Sequence, residues 1–427
     1  MADAVTQFTT LSTDAPNVWI SREMYRLAER NLRVGKYAQK YTLPQRFGKT
    51  MRIVRYKRVN LPTATLTEGT PPDAVALSVE NVDVTVEQWG IVVLLTDVSQ
   101  ITTTHPALNI AIERTALAMS EVLEREQCNM LLGGTTVQYP GSVSTRPTIG
   151  ANDKIDTATV LNAATTLRAN GAGEFEGALF SGVLSPQAEA DILAADQTFK
   201  DASNFANVRR LEYGEIGVWM ATRWARSNFL PIFVGVAAPG TATASVSGYG
   251  SESGAGSGIG GSKITVVSRD ATNDFERKIS QEKSVTAGKD TAVVGTPTSA
   301  NYVYDIYMTD TAGANYKRVA TRVANTTNTT VSSTVYTAGT VASPPSAPAD
   351  GREVFVGWVF GKDAFGRVEL NGMSLQSYIT PAGASYSNPL AQGRKIGSKL
   401  MWKSFIIDNN FFVRIESASA YSARLPA

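Results

Sequence analysis

Between Lys49 and Gly134 the pattern of apolar and polar positions changes from alternation to helical spacing. Met51 to Val59 is β-prone and basic, Leu61 to Asp73 is rich in threonine and proline, and Val82 to Leu95 alternates before becoming continuously apolar. This predicts a long hairpin, whose basic arm alone spans about 30 Å at the rise of a strand. A two-stranded hairpin is marginal on its own in water. Since nothing in the sequence shows what it packs on, the expectation is that another subunit covers it. A helix is predicted from Pro106 to about Leu132, with Thr103 or Thr104 as cap, proline in the first turn and Gly133-Gly134 as the stop. Ile112, Ala116, Met119 and Leu123 form its apolar face, and Glu113, Arg114, Glu121, Glu124 and Arg125 are expected to be wet. At 1.5 Å per residue it is about 40 Å long.

Elsewhere the pattern is mixed. A helix starting at Ser21 carries Met24, Leu27, Ala28 and Leu32 on one face and a stripe of Arg22, Arg26, Arg30 and Arg33 on another. Asp156 caps a helix through Leu167, Ala178 to Leu184 reads as a buried strand, and Ser185-Pro186 opens another helix. Gly214 to Trp224 and Phe229 to Val234 read as strands. Residues 237–262 are glycine, serine and alanine, the composition of a flexible linker. Strands are expected at Lys263–Arg269, Arg277–Val285, Tyr302–Met308, Tyr316–Val323 and Thr330–Tyr336, a small all-β module of immunoglobulin-like or fibronectin-like type. Val341 to Ala349 is a second, proline-rich linker, after which Val354–Phe360, Leu400–Ile407 and Phe411–Glu416 read as strands.

Composition narrows the function classes. The 427 residues can bury a sizeable core, and a charged fraction of 18% with net charge +2 gives no overall basic field for nucleic acid. One cysteine, Cys128, and one histidine, His105, leave no intrachain disulfide, cysteine zinc cluster or histidine-pair metal site, and no cofactor is expected. Cys128 is expected in the core and His105 at a helix entrance. Gly256 to Gly261 matches the dinucleotide-binding glycine pattern, but it opens a strand, not a helix, and is set aside. Glu174 and Glu176 read as surface carboxylates, and no enzyme activity is expected. Met1 to Thr10 lacks the layout of a signal peptide and no segment approaches the roughly 18 apolar residues of a membrane span. The expectation is a soluble intracellular product without a membrane partner.

Charge is segregated along the hairpin. From Arg22 to Arg58 basic residues predominate, opposed only by Glu23 and Glu29, whereas Val59 to Asp97 holds Glu68, Asp73, Glu80, Asp83, Glu87 and Asp97 without a lysine or arginine. One reading is a pair of solvated faces. The other is that Arg52, Arg55, Lys57 and Arg58 meet Glu68, Asp73, Glu80, Asp83 and Glu87 of neighbouring copies, giving register and specificity. In a third, the basic arm faces DNA.

The order of elements resembles the major capsid proteins of tailed bacteriophages, among podophage families those of N-four type. The residues that carry it run from Ser21-Arg-Glu-Met to Lys36-Tyr-Ala, then Glu68-Gly-Thr-Pro-Pro before Val82-Asp-Val-Thr-Val. Gly214 to Trp219, Asn228-Phe229, Ser387 to Gln392, Trp402-Lys403 and Val413 to Glu416 complete it. The match covers most of residues 20–236 and 354–417. It implies an α+β, Hong Kong 97-type fold with an inserted immunoglobulin-like domain. The implied parts are an N-terminal arm (1–48), an extended loop (49–97) and a peripheral domain (98–155, completed by 395–427) with a spine helix at 106–132. An axial domain (156–236 and 351–394) and a linker-bounded β insertion (237–350) complete the set. The implied function is a shell of hexamers and pentamers around double-stranded DNA, in a virion capsid assembled in the host cytoplasm. The implied partners are further copies, a separate scaffold protein, a portal and a decoration protein. An encapsulin-like compartment shell and, on the β module alone, a surface adhesion protein are the alternatives. Some relatives weld subunits through a loop lysine; Val59 to Gln100 has none, so no such cross-link is expected.

Overall fold

The computed structural model describes residues 34–56, 59, 65, 76–96, 107–175, 177–195, 215–236, 248–253, 258–270, 276–286, 291–295, 302–324, 329–349, 351–373, 375–380 and 393–421. The predicted Ser21 helix, the 106–132 helix's cap and first proline, His105, Glu176, and Lys57, Arg58, Glu68 and Asp73 lie outside the described residues. The described residues fall into two compact units: Ala38–Leu123 with Phe365–Ile407, and residues 34–37 with Glu124–Ala364 and 408–421.

The first unit contains strands β1 (Gln39–Leu43), β2 (Thr50–Tyr56), β3 (Val79–Thr85), β4 (Glu87–Thr96), β5 (Phe365–Leu370), β6 (Gln376–Thr380) and β7 (Gly393–Ile406). β2 and β3 form a separate two-stranded ribbon, and the other five strands form one sheet. The expected return arm is therefore two strands, divided at Val86, whose N–H donates to the Lys49 carbonyl at 2.9 Å. The first pairs with the basic arm, and the second pairs with β7 from Glu87↔Trp402 to Thr96↔Gly393. This corrects the picture of a hairpin with nothing in its own chain to pack on: β4 finds its partner some three hundred residues away in sequence. One face of the β4–β7 pair buries Leu95, Ile396, Leu400 and Trp402 against Ala111, Ile112, Ala116, Met119 and Leu123. These helical residues lie on α1 (Ala107–Leu131), the 25-residue helix expected from its periodicity. Burying a side chain such as Ile396 contributes about 1.5–3 kcal/mol.

The second unit is built on a thirteen-stranded mixed sheet. Glu353–Phe360 is its centre, pairing with Phe412–Ser417, Phe180–Leu184 and Ile232–Val236. The burial of every residue of Phe180–Leu184 explains its uninterrupted apolar reading. Two helices follow the predicted caps. Thr159 N–H donates to Asp156 Oδ1 at 2.8 Å at the head of α2 (Thr157–Ala169), and Ala188 N–H to Ser185 Oγ at 3.2 Å at the head of α3 (Pro186–Ala195). Val160, Ala164, Leu167 and Ile192 join Phe180, Trp224, Val413 and Ile415 in its main core. Gly182 makes this packing possible, since a Cβ there would come within 2.4 Å of the Trp224 ring.

Several expectations change here. The strand predicted across Gly214–Trp224 is a hairpin, Glu215–Trp219 and Thr222–Arg226, because Met220 and Ala221 turn the chain at φ 46° and 57°. The glycine-serine stretch holds a strand, Gly248–Ser253, paired with an unforeseen strand at Thr291–Gly295. Thr329–Ser332 ends where the Ser332 side chain caps a short helix, Ser333–Ala338, instead of running on as a strand. Strands Lys263–Asp270, Tyr302–Thr309 and Tyr316–Ala324 occur as expected. Ile264, Val266, Tyr304, Ile306 and Met308 share a core with Ala292, Val294 and Val331, so two β layers pack face to face. One of those layers is hydrogen-bonded into the rest of the unit, because Glu276–Ser280 pairs in parallel with Ile232–Val236. Cys128 is fully buried as expected, but Glu124, expected to be wet, is buried too and accepts the Ser227 hydroxyl at 2.7 Å.

Candidate assembly surface

The ribbon of β2 and β3 places alternate side chains on opposite faces in the register Thr50↔Thr85 to Tyr56↔Val79. On one face Met51, Ile53, Val82 and Val84 pack with Leu43, Val368, Met401 and Phe405, which anchors the base of the hairpin to its own chain. Further out on that face Arg55 meets Glu80 at 3.0 Å. On the other face the order is reversed. The Thr50 and Thr85 hydroxyls lie 2.9 Å apart and Arg52 donates to both Asp83 oxygens at 2.7 Å, but beyond them Val54, Tyr56 and Val79 are exposed, with Asn81 opposite Val54. The apolar surface therefore changes face along the ribbon.

Of the nine charged residues singled out in the sequence, Arg52, Arg55, Glu80, Asp83 and Glu87 are described, and each has an in-chain counter-charge. Arg52 pairs with Asp83, Arg55 with Glu80, and Glu87 with Lys403 at 2.6 Å. The opposite charges of the two arms thus face each other across one ribbon. The Arg52 guanidinium holds the Asp83 carboxyl below the usual carboxylate range, and Asp83 in turn raises Arg52. Lys403 was not singled out, since its partner comes from a strand whose pairing the sequence does not reveal.

A second charged cluster is buried. Glu416 on the Phe412–Ser417 strand has no exposure and accepts from Arg146 Nε at 2.7 Å and Nη2 at 2.6 Å, with Arg414 Nε 2.8 Å away. Arg146 also donates to the Ser346 carbonyl and stacks 3.8 Å above Phe233; Arg414 donates to the Leu132 and Gly134 carbonyls. Burial lowers the Arg414 pKa against the pull of Glu416, and burial followed by Glu416 raises the Tyr139 phenol. The bonds of this cluster run to Glu416, Ser346, Leu132 and Gly134, so it ties distant segments of the unit together.

No family model matches the sequence, and no curated protein matches it. Solved structures do. The capsid of Ralstonia phage GP4 aligns with a TM-score of 0.50 at 10% identity, over 91% of this chain and 89% of that one. The cyanophage Pam1 capsid asymmetric unit gives 0.49 at 11% identity over 92% and 93%, and the capsid structure of cyanophage P-SCSP1u gives 0.46 at 12% over 90% and 87%.

The chain has the fold of a phage capsid protein.

The likeness spans almost the whole of both chains, and at such identity it is one of fold alone. Within this capsid-like fold, a cavity of about 200 Å³ is lined by Lys36, Tyr37, Phe175, Leu179, Phe180, Ser181 and Arg223. Tyr37 packs edge-on to Phe175 and stacked on Phe360, with centroids 6.1 and 6.0 Å apart, so the cavity floor is aromatic packing. Among the described residues no three His, Cys, Asp or Glu side chains gather as a metal site, and no helix is long and apolar enough to cross a membrane. Burial raises the Cys128 thiol pKa well above its ordinary value, which keeps it protonated and unreactive. Glu174 pairs with Arg168 at 3.2 Å on the surface.

Proposed function

We propose that this chain is the major capsid protein of a tailed bacteriophage, of the Hong Kong 97 type and closest to the N-four-type podophage proteins. In this role it has no catalytic activity. Copies of the chain form hexamers and pentamers that enclose double-stranded DNA. Assembly takes place in the host cytoplasm with a separate scaffold protein and a portal, and the insertion offers a place for a decoration protein. The single observation that supports this most is the likeness of fold to the Ralstonia phage GP4 capsid over nine-tenths of the chain. The resemblance read from the sequence supports the same conclusion independently of that superposition.

In this reading the segments 1–48, 49–97, 98–155 with 395–427, 156–236 with 351–394, and 237–350 are the arm, extended loop, peripheral, axial and insertion domains. The ribbon acts as a non-covalent clasp between copies. Its tip, which carries Glu68 and Asp73 after the basic Lys57 and Arg58, is the part that reaches a neighbour. Electron microscopy of the purified, overexpressed chain tests the reading: closed shells, tubes or ring-shaped capsomers are expected, and a stable monomer at high concentration would overturn it. Boiled and reduced particles should run as single chains on a denaturing gel, because Val59 to Gln100 holds no lysine to weld.

A further inference from the structure

The cavity of about 200 Å³ in the second unit is polar on one side and aromatic on the other. Its polar side comes from a row across three strands. Phe360 pairs with Ser181 and Ser181 with Arg223, so the three side chains leave the sheet on the same face. Phe360 stacks on Tyr37, and Tyr37 and Phe175 form the aromatic side. Ser181 is 4% exposed, yet its hydroxyl has no hydrogen-bond partner among the described residues, where a buried hydroxyl is ordinarily paired. The Arg223 guanidinium likewise has no counter-charge among the described residues, whereas Arg168 and Arg226 are paired with Glu174 and Glu189 at 3.2 and 3.4 Å. Lys36 lines the cavity as a second cation, and among the described residues no carboxylate lines it. The two turns beside it are strained: Ala178 stands at φ 57°, and Met220 and Ala221 at 46° and 57°. The second turn is tied to the cavity wall, since the Ala221 carbonyl accepts the Phe180 N–H at 2.9 Å. Residues with a Cβ keep this left-handed backbone only where their surroundings over-determine it, as they do at ligand clamps.

We propose that this cavity binds a small phosphate-bearing molecule, with inorganic phosphate as its simplest form. The inference does not depend on the capsid reading. A guanidinium, an ammonium and a hydroxyl are three separate donor groups. They suit a tetrahedral group with three acceptor oxygens better than a planar carboxylate with two. Arginine in particular matches phosphate with two parallel N–H donors. The two cations also match the charge of a phosphate monoester, about −1.5 to −2 at pH 7. A volume of about 200 Å³ lies below the roughly 300–1,000 Å³ of sites for drug-sized ligands, so the ligand is small. The rings of Tyr37 and Phe175 offer apolar surface to a short organic group carried by the phosphate.

Equilibrium dialysis of the purified full-length chain against radiolabelled inorganic phosphate at neutral pH tests this. Saturable binding of one phosphate per chain is the expected result. Arg223→Gln should weaken it about tenfold or more and Ser181→Ala about threefold, each with an unchanged circular dichroism spectrum. Arg168→Gln, which removes a cation of the same unit that does not line the cavity, should leave the binding as it is. Acetate should compete about tenfold more weakly than phosphate, because it lacks the third oxygen. Binding that fails to saturate, or that survives Arg223→Gln, would overturn the inference. Acetate competing as well as phosphate would also overturn it, since the cavity would then be a carboxylate site. Duplex DNA binding through Arg223 where free phosphate does not bind would count against it equally.

Discussion

Replacing Glu416 by glutamine isolates the buried charge cluster from the rest of the fold. The amide keeps the side chain's shape but removes the anion that pairs with both Arg146 and Arg414, whose side chains are 6% and 9% exposed. It also turns an N–H donor toward guanidinium groups that have only donors to offer. Breaking a buried ion pair by removing one partner costs about 3–5 kcal/mol, because an uncompensated charge is left out of water. Two guanidinium groups are stranded here, although each keeps a backbone carbonyl, at 3.0 Å for Arg146 and 2.6 Å for Arg414. A loss of about 3–5 kcal/mol is therefore expected, a fall in Tm on the order of 10 °C for a unit of this size. Scanning calorimetry of the unassembled chain measures it. Arg146→Met should cost less than Glu416→Gln, since Glu416 then keeps Arg414. Glu174→Gln, which breaks the exposed Arg168 pair, should cost about 0.2–1 kcal/mol. If Glu416→Gln melted within 2 °C of wild type or no lower than Glu174→Gln, the argument from burial would be wrong.

Gly182→Ala should lower the denaturation midpoint by the equivalent of about 1–3 kcal/mol, because its Cβ would collide with Trp224; an unchanged midpoint would show that the ring moves aside freely. Asp305→Asn should cost about 1.5–3 kcal/mol in the same assay. It weakens the 2.7 Å pair with Arg269 and the acceptor for the Arg322 N–H, at a residue held at φ 47°. The depressed pKa of Asp83 means that its pairing with Arg52 stabilises fully above the ordinary carboxylate pKa of about 3.9 and is lost as the pH falls through the lower folded value. The difference in melting between wild type and Arg52→Ala should accordingly be constant from pH 7 to 5 and shrink as the pH falls below the ordinary carboxylate range; a difference that grew on acidification would contradict the assignment.

Features set by neighbours in sequence were legible from the outset. Ile112, Ala116, Met119 and Leu123 recur at helical spacing and do form a buried stripe, and the Asp156 and Ser185 caps act within three residues of themselves. What depends on distant partners was not. Glu124 continues the buried face of α1, but a glutamate reads as wet until the Ser227 hydroxyl that satisfies it is known. Thr291–Gly295 is too plain in composition to announce a strand and becomes one through Gly248–Ser253 and Thr329–Ser332 on its two sides. The charged arms are an intermediate case. Arg52 with Asp83 and Arg55 with Glu80 are symmetric about one turn, so drawing the hairpin's register would have paired them within the chain instead of between copies.

That pairing changes how the hairpin can act. Had the arms kept their charge, two copies would have met through opposed fields, and salt would have weakened the contact. With Arg52, Arg55, Glu80, Asp83 and Glu87 already neutralised in-chain, a contact through the arms would gain little from electrostatics. What the outer ribbon does offer is apolar, namely Val54, Tyr56 and Val79, on the face opposite to the one anchored by Leu43, Val368 and Phe405. A ribbon of two strands is marginal alone, and burial of its inner face at the base supports only part of its length. Its outer part is stabilised when those three side chains are also buried. Val54→Ser or Tyr56→Ser should thus weaken association more than Arg55→Ala does, with sedimentation velocity as the measure; the reverse order would return the contact to the charges.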